Sequence, residues 1–270
     1  MPAERVISGK TRLYGIVGDP VLQVAAPEAF NTWFAENDVD AVMLPVHVRS
    51  GDVRAALDGF AAMANLDGML ITIPHKFAFA EMMDEIGPHG KRVGAVNAIR
   101  QKPDGAWLGD MFDGVGFVEG LRAQGIDPHG KSYLIYGAGG AGTAIGGALL
   151  DDQPSRIAFF DPAPGRAENL CTTLLTAAPT IPIEAVGAET DPGDFDIIVN
   201  STPLGMRESD PLPFDPDRLR PSNIVTEVIM KPPVTPLLIA AKKRGCRIQP
   251  GRHMLEGQFF PFLRFFGFSV

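Results

Sequence analysis

The chain has 270 residues, 45% of them hydrophobic, which suits two modest α/β domains with full cores. Its formal net charge of −8 argues against a nucleic-acid or anionic-membrane surface, which would need clustered basic residues. No apolar run approaches the roughly 20 residues of a membrane span, and residues 1–19 contain no apolar targeting core. The two cysteines, Cys171 and Cys246, lie far apart without metal-like spacing. They favour a reducing, cytoplasmic setting without a disulfide framework, and no metal site is predicted.

The first 110 residues alternate between short β-rich runs and helical patterns. In chain order, the patterns predict a strand over 12–18, a helix over 27–36, a strand over 41–46, a helix over 50–63 and a strand over 68–73. A hairpin is predicted from strands at 96–100 and 106–109 around the turn at 103–105. Repeated β-α-β order implies a mainly parallel sheet with helices on its faces.

A second α/β unit begins at Ser132 after a polar loop. Its predicted strands are 132–136, 156–160, 183–186, 197–200 and 224–228, and a helix is predicted over 236–244. The tail Glu256–Phe268 (EGQFFPFLRFFGF) carries too much phenylalanine for an exposed helix, so we expect it to pack back onto the first domain. The predicted fold class is therefore α/β with two domains.

The run YGAGGAG lies directly between a predicted strand and a predicted helix. Gly137, Gly139 and Gly142 have the GxGxxG spacing, which provides a tight turn, close approach to a pyrophosphate and close helix–strand packing. The helix N-terminus directs free N–H groups at the phosphates. The run therefore predicts a dinucleotide site, and a glycine-rich turn without a ligand is the alternative. The predicted contact residues are Gly137, Ala138, Gly139, Gly140, Ala141 and Gly142.

Asp161 follows the next predicted strand, 19 residues after Gly142. A carboxylate there bonds the adenosine ribose hydroxyls and repels a 2′-phosphate, so NAD is favoured over NADP. Arg166 is the contrary signal, because an arginine at this place can bind a phosphate. A turn formed by Asp161 with Pro162 is the structural alternative.

The segment NSTPLGM (Asn200–Met206) follows another strongly apolar strand. Loops at such strand ends lie over the cofactor in Rossmann-type domains. This loop is therefore assigned to the nicotinamide side, with Ser201, Thr202, Pro203 and Met206 as its cofactor-binding residues.

Two polar sites lie outside the predicted dinucleotide domain. Thr72 and Lys76 lie in the stretch LITIPHK (70–76), and Asp110 and Asp113 lie in GDMFDG (109–114) at a loop-to-helix junction. A lysine and an aspartate beside a nicotinamide are the groups that alcohol oxidation needs: one moves the hydroxyl proton, and the ammonium favours the oxyanion. Either aspartate alone can instead cap a helix, and a lysine at a strand end can be a plain surface residue. His75 and Lys76 should point apart, so at most one of them is expected to face a site.

A series of motifs runs in order along nearly the whole chain: GDP (18–20), TIPHK (72–76), GAVNA (94–98), GDMFDG (109–114), GAGGAG (137–142), NSTPLGM (200–206) and GRHMLEGQ (251–258). Because these motifs occur together in this order and spacing, the chain resembles the shikimate/quinate dehydrogenase family. The resemblance implies a substrate domain over 1–110, an NAD(P)-binding Rossmann domain over 111–245, and a C-terminal helix over 246–270 that packs back on the first. It also implies a catalytic pair, Lys76 and Asp113, and substrate contacts at Thr72, Asn97 and Gln258.

The chain departs from the family at several polar positions. Where NADP-binding members typically have Asn-Arg-Thr, this chain has Asp161-Pro162-Ala163, in agreement with NAD. Residues expected to be polar substrate contacts are replaced at Val24, Ala26, Leu70, Phe112 and Thr226. Because a hydrogen bond to a charged group contributes about 1.5–3 kcal/mol, losing the two serines replaced by Val24 and Ala26 costs roughly 3–6 kcal/mol, on the order of 10²–10⁴ in binding. Shikimate and quinate should therefore be poor substrates, with Arg252 and His253 as candidate replacement anion contacts.

The sequence thus predicts an NAD-dependent oxidoreductase that moves a hydride reversibly between nicotinamide and a cyclic hydroxy compound of shikimate/quinate type, with a less polar cyclic alcohol or ketone as the alternative substrate. The alternatives are another two-domain dehydrogenase, such as a folate-type enzyme, and a dinucleotide-binding protein without turnover. The predicted partner is a small molecule, with no nucleic acid and no membrane, and a homodimer is left open.

Overall fold

The computed structural model describes residues 7–270, so residues 1–6 of the expected first domain and of the N-terminal segment lie outside the described part. The chain divides into two compact units, Met1–Met111 with Phe262–Val270, and Phe112–Pro261. The C-terminal segment 246–270 is divided between the units, since only its end belongs to the first.

The first unit is built on one mixed sheet. Its strands are β1 (Arg12–Gly18), β2 (Ala41–His47), β3 (Leu66–Ile71), β4 (Glu85–Ile86), β5 (Ala98–Gln101) and β6 (Trp107–Asp110), and its helices are α1 (Ala26–Glu36), α2 (Val53–Ala61), α3 (Lys76–Ala80) and α4 (Pro88–Val93). The strand order is β2-β1-β3-β5-β6-β4. Strands β2, β1 and β3 are parallel, whereas β5 runs antiparallel to β3 and β6, which confirms the predicted hairpin.

Most predicted boundaries in this unit differ from the structure by one or two residues, and two elements differ more. The helix predicted over 50–63 begins as a 3-10 turn, Ser50–Asp52, and becomes α-helical only over Val53–Ala61. The strand predicted over 68–73 runs instead over Leu66–Ile71, although the Thr72 N–H still donates to the Val17 carbonyl of β1 at 2.8 Å.

Alternate residues of the central strands face opposite sides of the first sheet. On one side, Val17 and Ile71 pack into a core with Phe79. On the other side, Tyr14 contacts Phe34 of α1 at 5.4 Å between ring centroids, and contacts the tail ring of Phe266 at 5.1 Å. The aromatic tail therefore completes the packing of the α1 side of this sheet.

The second unit carries a fully parallel sheet. Its strands are β7 (Ser132–Tyr136), β8 (Arg156–Phe160), β9 (Ile183–Ala185), β10 (Ile197–Asn200), β11 (Ile224–Glu227) and β12 (Arg247–Gln249). The remaining helices are α5 (Asp113–Ala123), α6 (Gly140–Leu149), α7 (Arg166–Ala177), α8 (Pro236–Lys243), α9 (Arg252–Gly257) and α10 (Phe259–Phe265). The strand order is β12-β11-β10-β7-β8-β9, so the chain reverses direction across the sheet between β7 and β10. Ligands of open parallel sheets bind at the carboxyl ends of the strands on either side of such a reversal.

Helix α5 packs very closely against its neighbours in the second unit. A Cβ on Gly114 would overlap the carbonyl oxygen of Ala144, and one on Gly257 would overlap the carbonyl oxygen of Gly116. Glycines therefore let the backbones of α5, α6 and α9 approach each other closely. Over residues 7–270, no helix is long and apolar enough to cross a membrane.

Candidate functional site

Thr72, Lys76 and Asn97 lie together at the carboxyl edge of the first sheet. The Ile71 N–H donates to the Asn97 carbonyl at 2.8 Å, and the Val96 N–H donates to the Lys76 carbonyl at 3.0 Å. They meet because β5 is antiparallel to β3 and starts beside the end of β3. Lys76 is the first residue of α3 and is half-buried, as is Thr72, while Asn97 is 3% exposed.

His75 and Asp110 lie at the same edge, but their side chains form hydrogen bonds with backbone groups of the first unit. His75 is 1% exposed, and its Nε2 lies 2.7 Å from the Val48 carbonyl oxygen. The Asp110 Oδ1 accepts from the N–H groups of Gly90 at 2.6 Å and Met111 at 2.9 Å. Because Gly90 lies in the first turn of α4, the Asp110 side chain accepts from an N–H at the start of that helix, but Asp110 is not itself an N-cap residue: the N-cap of α4 is Gly87 and that of α5 is Phe112.

Asp113 and Gln258 belong to the second unit. Asp113 is the first residue of α5, where a negative charge suits the N-terminal end of the helix dipole. Gln258 directly follows α9 and is 6% exposed, and its Nε2 donates to the Met254 carbonyl at 3.3 Å. A Cβ on Gly116 would overlap the Gln258 side chain, so the glycine on α5 makes room for it.

The positions where polar substrate contacts are replaced are mostly interior. Leu70 is 3% exposed and Phe112 is 9% exposed. Thr226 is fully buried, and its hydroxyl donates to the Ile198 carbonyl at 3.2 Å, inside the second sheet. Val24 and Ala26, by contrast, are half-buried at the start of α1. Only these two replacements leave partly exposed apolar side chains at the edge of a unit.

Of the two candidate anion contacts in the tail, Arg252 is exposed and His253 is engaged in packing. His253 is 9% exposed, and its Nδ1 lies 3.0 Å from the Glu256 Oε2 and 3.5 Å from the Gln124 Nε2. The histidine therefore contributes to the contact of α9 with the end of α5.

The glycine-rich turn has the geometry that a dinucleotide requires. Gly137 has φ +100°, which favours glycine, and a Cβ on Gly142 would overlap the Gly137 carbonyl oxygen. Around Gly139 and Gly140, a Cβ would have no heavy atom within 4 Å. The N-cap of α6 is Gly139, so no side chain caps the first N–H groups of the helix. This open, uncapped N-terminus fits a pyrophosphate.

Asp161 accepts hydrogen bonds from two turns, the glycine-rich turn and the turn that it forms itself with the residues after β8. Its Oδ2 accepts from the Ala138 N–H at 2.8 Å, and its Oδ1 accepts from the Ala163 N–H at 2.9 Å. The bond from Ala163 closes the turn of Asp161 with Pro162, which the sequence analysis gives as the structural alternative. Both carboxylate oxygens thus accept from backbone N–H groups, and the Asp161 side chain is only 5% exposed. Arg166 at the start of α7 approaches the Asp161 Oδ2 to 3.6 Å, and its side chain is 57% exposed.

The loop after β10 is tied to the same turn. The Ser201 hydroxyl lies 2.8 Å from the carbonyl oxygens of both Tyr136 and Gly137. Thr202 donates to the Asn200 Oδ1 at 2.6 Å, so its hydroxyl is used within the loop. The exposed residues of this loop include Pro203 and Met206, which is 59% exposed.

A buried carboxyl, Glu227, lies behind this loop and was missed by the sequence analysis. It ends β11 as the register partner of Asn200, is fully buried, and accepts from the Thr235 hydroxyl at 2.7 Å. Burial raises the pKa of Glu227 to about 7. Its one sequence signal is a lone carboxylate in the apolar run IVTEVI, eight residues before a Thr-Pro helix start.

Comparisons with known proteins cover most of the chain. Residues 16–99 match the shikimate dehydrogenase substrate binding domain. The shikimate dehydrogenase (NADP(+)) of Rubrobacter xylanophilus is 35% identical over 251 residues, covering 92% of this chain and 88% of that protein.

Two solved structures have the same fold over nearly their full length. Shikimate 5-dehydrogenase from Listeria monocytogenes, in complex with shikimate and NAD, has a TM-score of 0.86 and 30% identity, covering 94% of this chain and 91% of that one. The ligand-free 5-ketofructose reductase of Gluconobacter sp. strain CHM43 has a TM-score of 0.88 and 26% identity, covering 96% and 94%.

Proposed function

The chain belongs to the shikimate dehydrogenase family, whose members are NAD(P)-dependent oxidoreductases acting on CH–OH groups. From this premise, we propose that the protein is an NAD-dependent dehydrogenase of a cyclic hydroxy compound other than shikimate. We assign substrate binding to the first unit and dinucleotide binding to the second. The observation that carries the proposal is the convergence of Thr72, Lys76 and Asn97 at one sheet edge through backbone hydrogen bonds. These are the polar groups that the family resemblance assigns to substrate and catalysis in this unit.

In the proposed mechanism, Lys76 and Asp113 act on the reacting hydroxyl. The nicotinamide, when bound, accepts or returns the hydride. The Lys76 ammonium stabilises negative charge on the reacting oxygen, and the Lys76/Asp113 pair moves the hydroxyl proton. Thr72, Asn97 and Gln258 supply hydrogen-bonding groups that orient the remaining substrate hydroxyls.

Replacing Lys76 tests this assignment. Lys76→Ala should lower kcat by about 10²–10⁴, the usual contribution of a positioned acid–base group, with NAD affinity unchanged. The matched control is Lys10→Ala, which removes an exposed lysine from the turn before β1 and should keep full activity. A wild-type protein that binds NAD but turns over no cyclic alcohol, ketone or folate would be a binding protein. Turnover of folates alone would identify the folate-type alternative.

The proposed preference for NAD rests on Asp161, whose carboxylate lies beside the glycine-rich turn. The exposed Arg166 and the NADP(+) in the name of the Rubrobacter protein point the other way. The wild-type protein should have a higher kcat/KM with NAD than with NADP. Asp161→Asn should narrow that ratio by about tenfold or more, because it removes the charge that repels a 2′-phosphate. Glu168→Gln, on the exposed side of α7, is the matched control. A wild-type preference for NADP would overturn the proposal.

The proposed weakness toward shikimate rests on Val24 and Ala26, which offer no hydroxyl at the start of α1. It is also in line with the 5-ketofructose reductase, which is named for a substrate without a carboxylate. We propose a screen of shikimate, quinate, their dehydro forms, 5-ketofructose and simple cyclic alcohols, each with NAD and NADP. An efficiency with shikimate equal to that of other family enzymes would contradict this part of the proposal.

A further inference from the structure

The carboxyl edge of the first sheet carries an exposed histidine, His47, that the proposed mechanism does not use. β2 ends at His47, and its register partner on β1 is Gly18. Thr72 directly follows β3 on the other side of β1, and a Cβ on Gly18 would lie 2.5 Å from the Thr72 Cγ2. Because register neighbours project to the same face of a sheet, His47, Gly18 and Thr72 form one row across three strands.

This row lies on the side of the sheet that α1 covers. Gly18 has the same strand parity as Tyr14, which contacts Phe34 of α1. Val24 and Ala26, at the start of α1, therefore belong to the same side as His47 and Thr72. The Cα atoms of His47 and Thr72 are separated by two strand spacings, about 9–10 Å, and Gly18 between them has no side chain.

Asp19 orients the ring of His47. The His47 Nε2 lies 2.7 Å from the Asp19 Oδ1, and the Asp19 Oδ2 accepts from the N–H and hydroxyl of Ser50 at 3.3 Å each. The hydrogen bond from His47 lowers the pKa of Asp19, so Asp19 is a carboxylate and can only accept. The His47 Nε2 therefore donates to this carboxylate, and in the tautomer that has its one N–H on Nε2 the Nδ1 atom is an acceptor.

The cluster therefore suits a particular class of substrate group. An imidazole acceptor bonds a hydroxyl donor, whereas the Asp19 carboxylate beside it repels another anion. The side chains of His47 and Asp19 are 54% and 32% exposed, so both charge and acceptor are accessible. We propose that His47, oriented by Asp19, binds a hydroxyl of the substrate, and that the substrate is a neutral polyhydroxylated ketone or alcohol. This inference rests on the proposed function and adds the substrate class.

The test compares 5-ketofructose, a neutral probe, with shikimate, a carboxylate probe, in steady-state kinetics of the full chain. His47→Ala should raise KM for 5-ketofructose about 5–10-fold with kcat nearly unchanged, because a substrate hydrogen bond is lost. His47→Gln, which retains an acceptor oxygen, should restore part of that loss. Asp19→Asn should raise the efficiency with shikimate relative to 5-ketofructose at least threefold. His129→Ala, at an exposed histidine of the second unit, should change neither constant.

The outcomes separate this inference from the proposed function. Turnover of 5-ketofructose with an unchanged KM in His47→Ala overturns the role of His47 and leaves the proposed dehydrogenase intact. A wild-type preference for shikimate overturns the neutral-substrate class. Absence of turnover with every compound of the screen refutes the proposed function, and the inference with it. A KM for the cofactor that rises together with that for 5-ketofructose would indicate a structural role and would also overturn the inference.

Discussion

Replacing Glu227 by glutamine should remove a pH-dependent loss of stability from the second unit. The carboxyl is fully buried at the end of β11, with the Thr235 hydroxyl on its Oε2 and, among residues 7–270, no hydrogen-bond partner on its Oε1. Burial disfavours the charged form and raises the pKa of Glu227 from its ordinary value of 4.5 to about 7. Glutamine has nearly the same shape, keeps an oxygen for Thr235 and does not ionise.

The sign and size follow from the two pKa values. Below pH 4.5 the carboxyl is protonated in both states, so the folded protein has its full stability. Between pH 4.5 and 7 the unfolded chain releases the proton while the folded chain keeps it, so the free energy of unfolding falls as pH rises. Above pH 7 both states are ionised and the loss levels off at about 3 kcal/mol, since each unit of pKa difference corresponds to about 1.4 kcal/mol.

The assay is urea denaturation of the wild type and variants at half-unit steps from pH 5 to 8. Other carboxylates contribute to both curves, so the informative quantity is the difference between the variant and the wild type. Glu227→Gln should gain stability relative to the wild type as pH rises to 7 and then stay parallel to it. Glu184→Gln, at an exposed carboxyl on β9, should remain parallel throughout. A Glu227→Gln curve parallel to the wild type across the range would refute the buried-carboxyl argument.

Three further changes test the packing described above. Gly142→Ala should weaken NADH binding at least tenfold in a fluorescence titration, because its Cβ would overlap the Gly137 carbonyl oxygen. The control is Gly51→Ala, where a Cβ would have no heavy atom within 4 Å. Equal NADH affinities of the two variants would contradict the proposed role of the glycine-rich turn. Asn223→Ala should lower the free energy of unfolding by about 1–3 kcal/mol, because the buried Asn223 amide bonds the Phe195 carbonyl and the Arg220 N–H, each at 2.6 Å; an exposed change, Asn169→Ala, should cost far less. Phe34→Ala should lower the free energy of unfolding by about 3–5 kcal/mol, since the ring is fully buried between Tyr14 and the tail ring of Phe268. Phe260→Ala, at a ring that is 53% exposed, should leave the free energy of unfolding nearly unchanged in the same urea assay.

Much of the fold could be predicted because its elements have local signals. The strands at 132–136, 156–160 and 197–200 coincide with the structure, since each is an apolar run bounded by turn residues. The Phe-rich tail carries its own signal, because so many exposed rings would be costly. The short strand β4 (Glu85–Ile86) had no such signal, because its pairing with β6 depends on distant residues.

The candidate site likewise contains residues with a local sequence signal and residues whose role depends on strand pairing. Thr72 and Lys76 could be singled out because a strand end beside a proline is visible in the sequence. The row of His47, Gly18 and Thr72 could not, because it depends on the register of three strands that are far apart in the chain. The burial of Glu227 was hidden for a related reason: only its pairing with Asn200 places it behind the loop.

Asp161 shows why cofactor preference is harder to predict than cofactor binding. The sequence offers two roles for it, a ribose contact and a turn former, as though one excluded the other. In the structure the same carboxylate makes its own turn with Ala163 and fastens Ala138 of the glycine-rich turn. The charge that would repel a 2′-phosphate is therefore partly satisfied by backbone N–H groups and faces Arg166 at 3.6 Å. Because this environment offsets the repulsion, the choice between NAD and NADP depends on Asp161 and Arg166 together, and spacing from the glycines alone does not determine it.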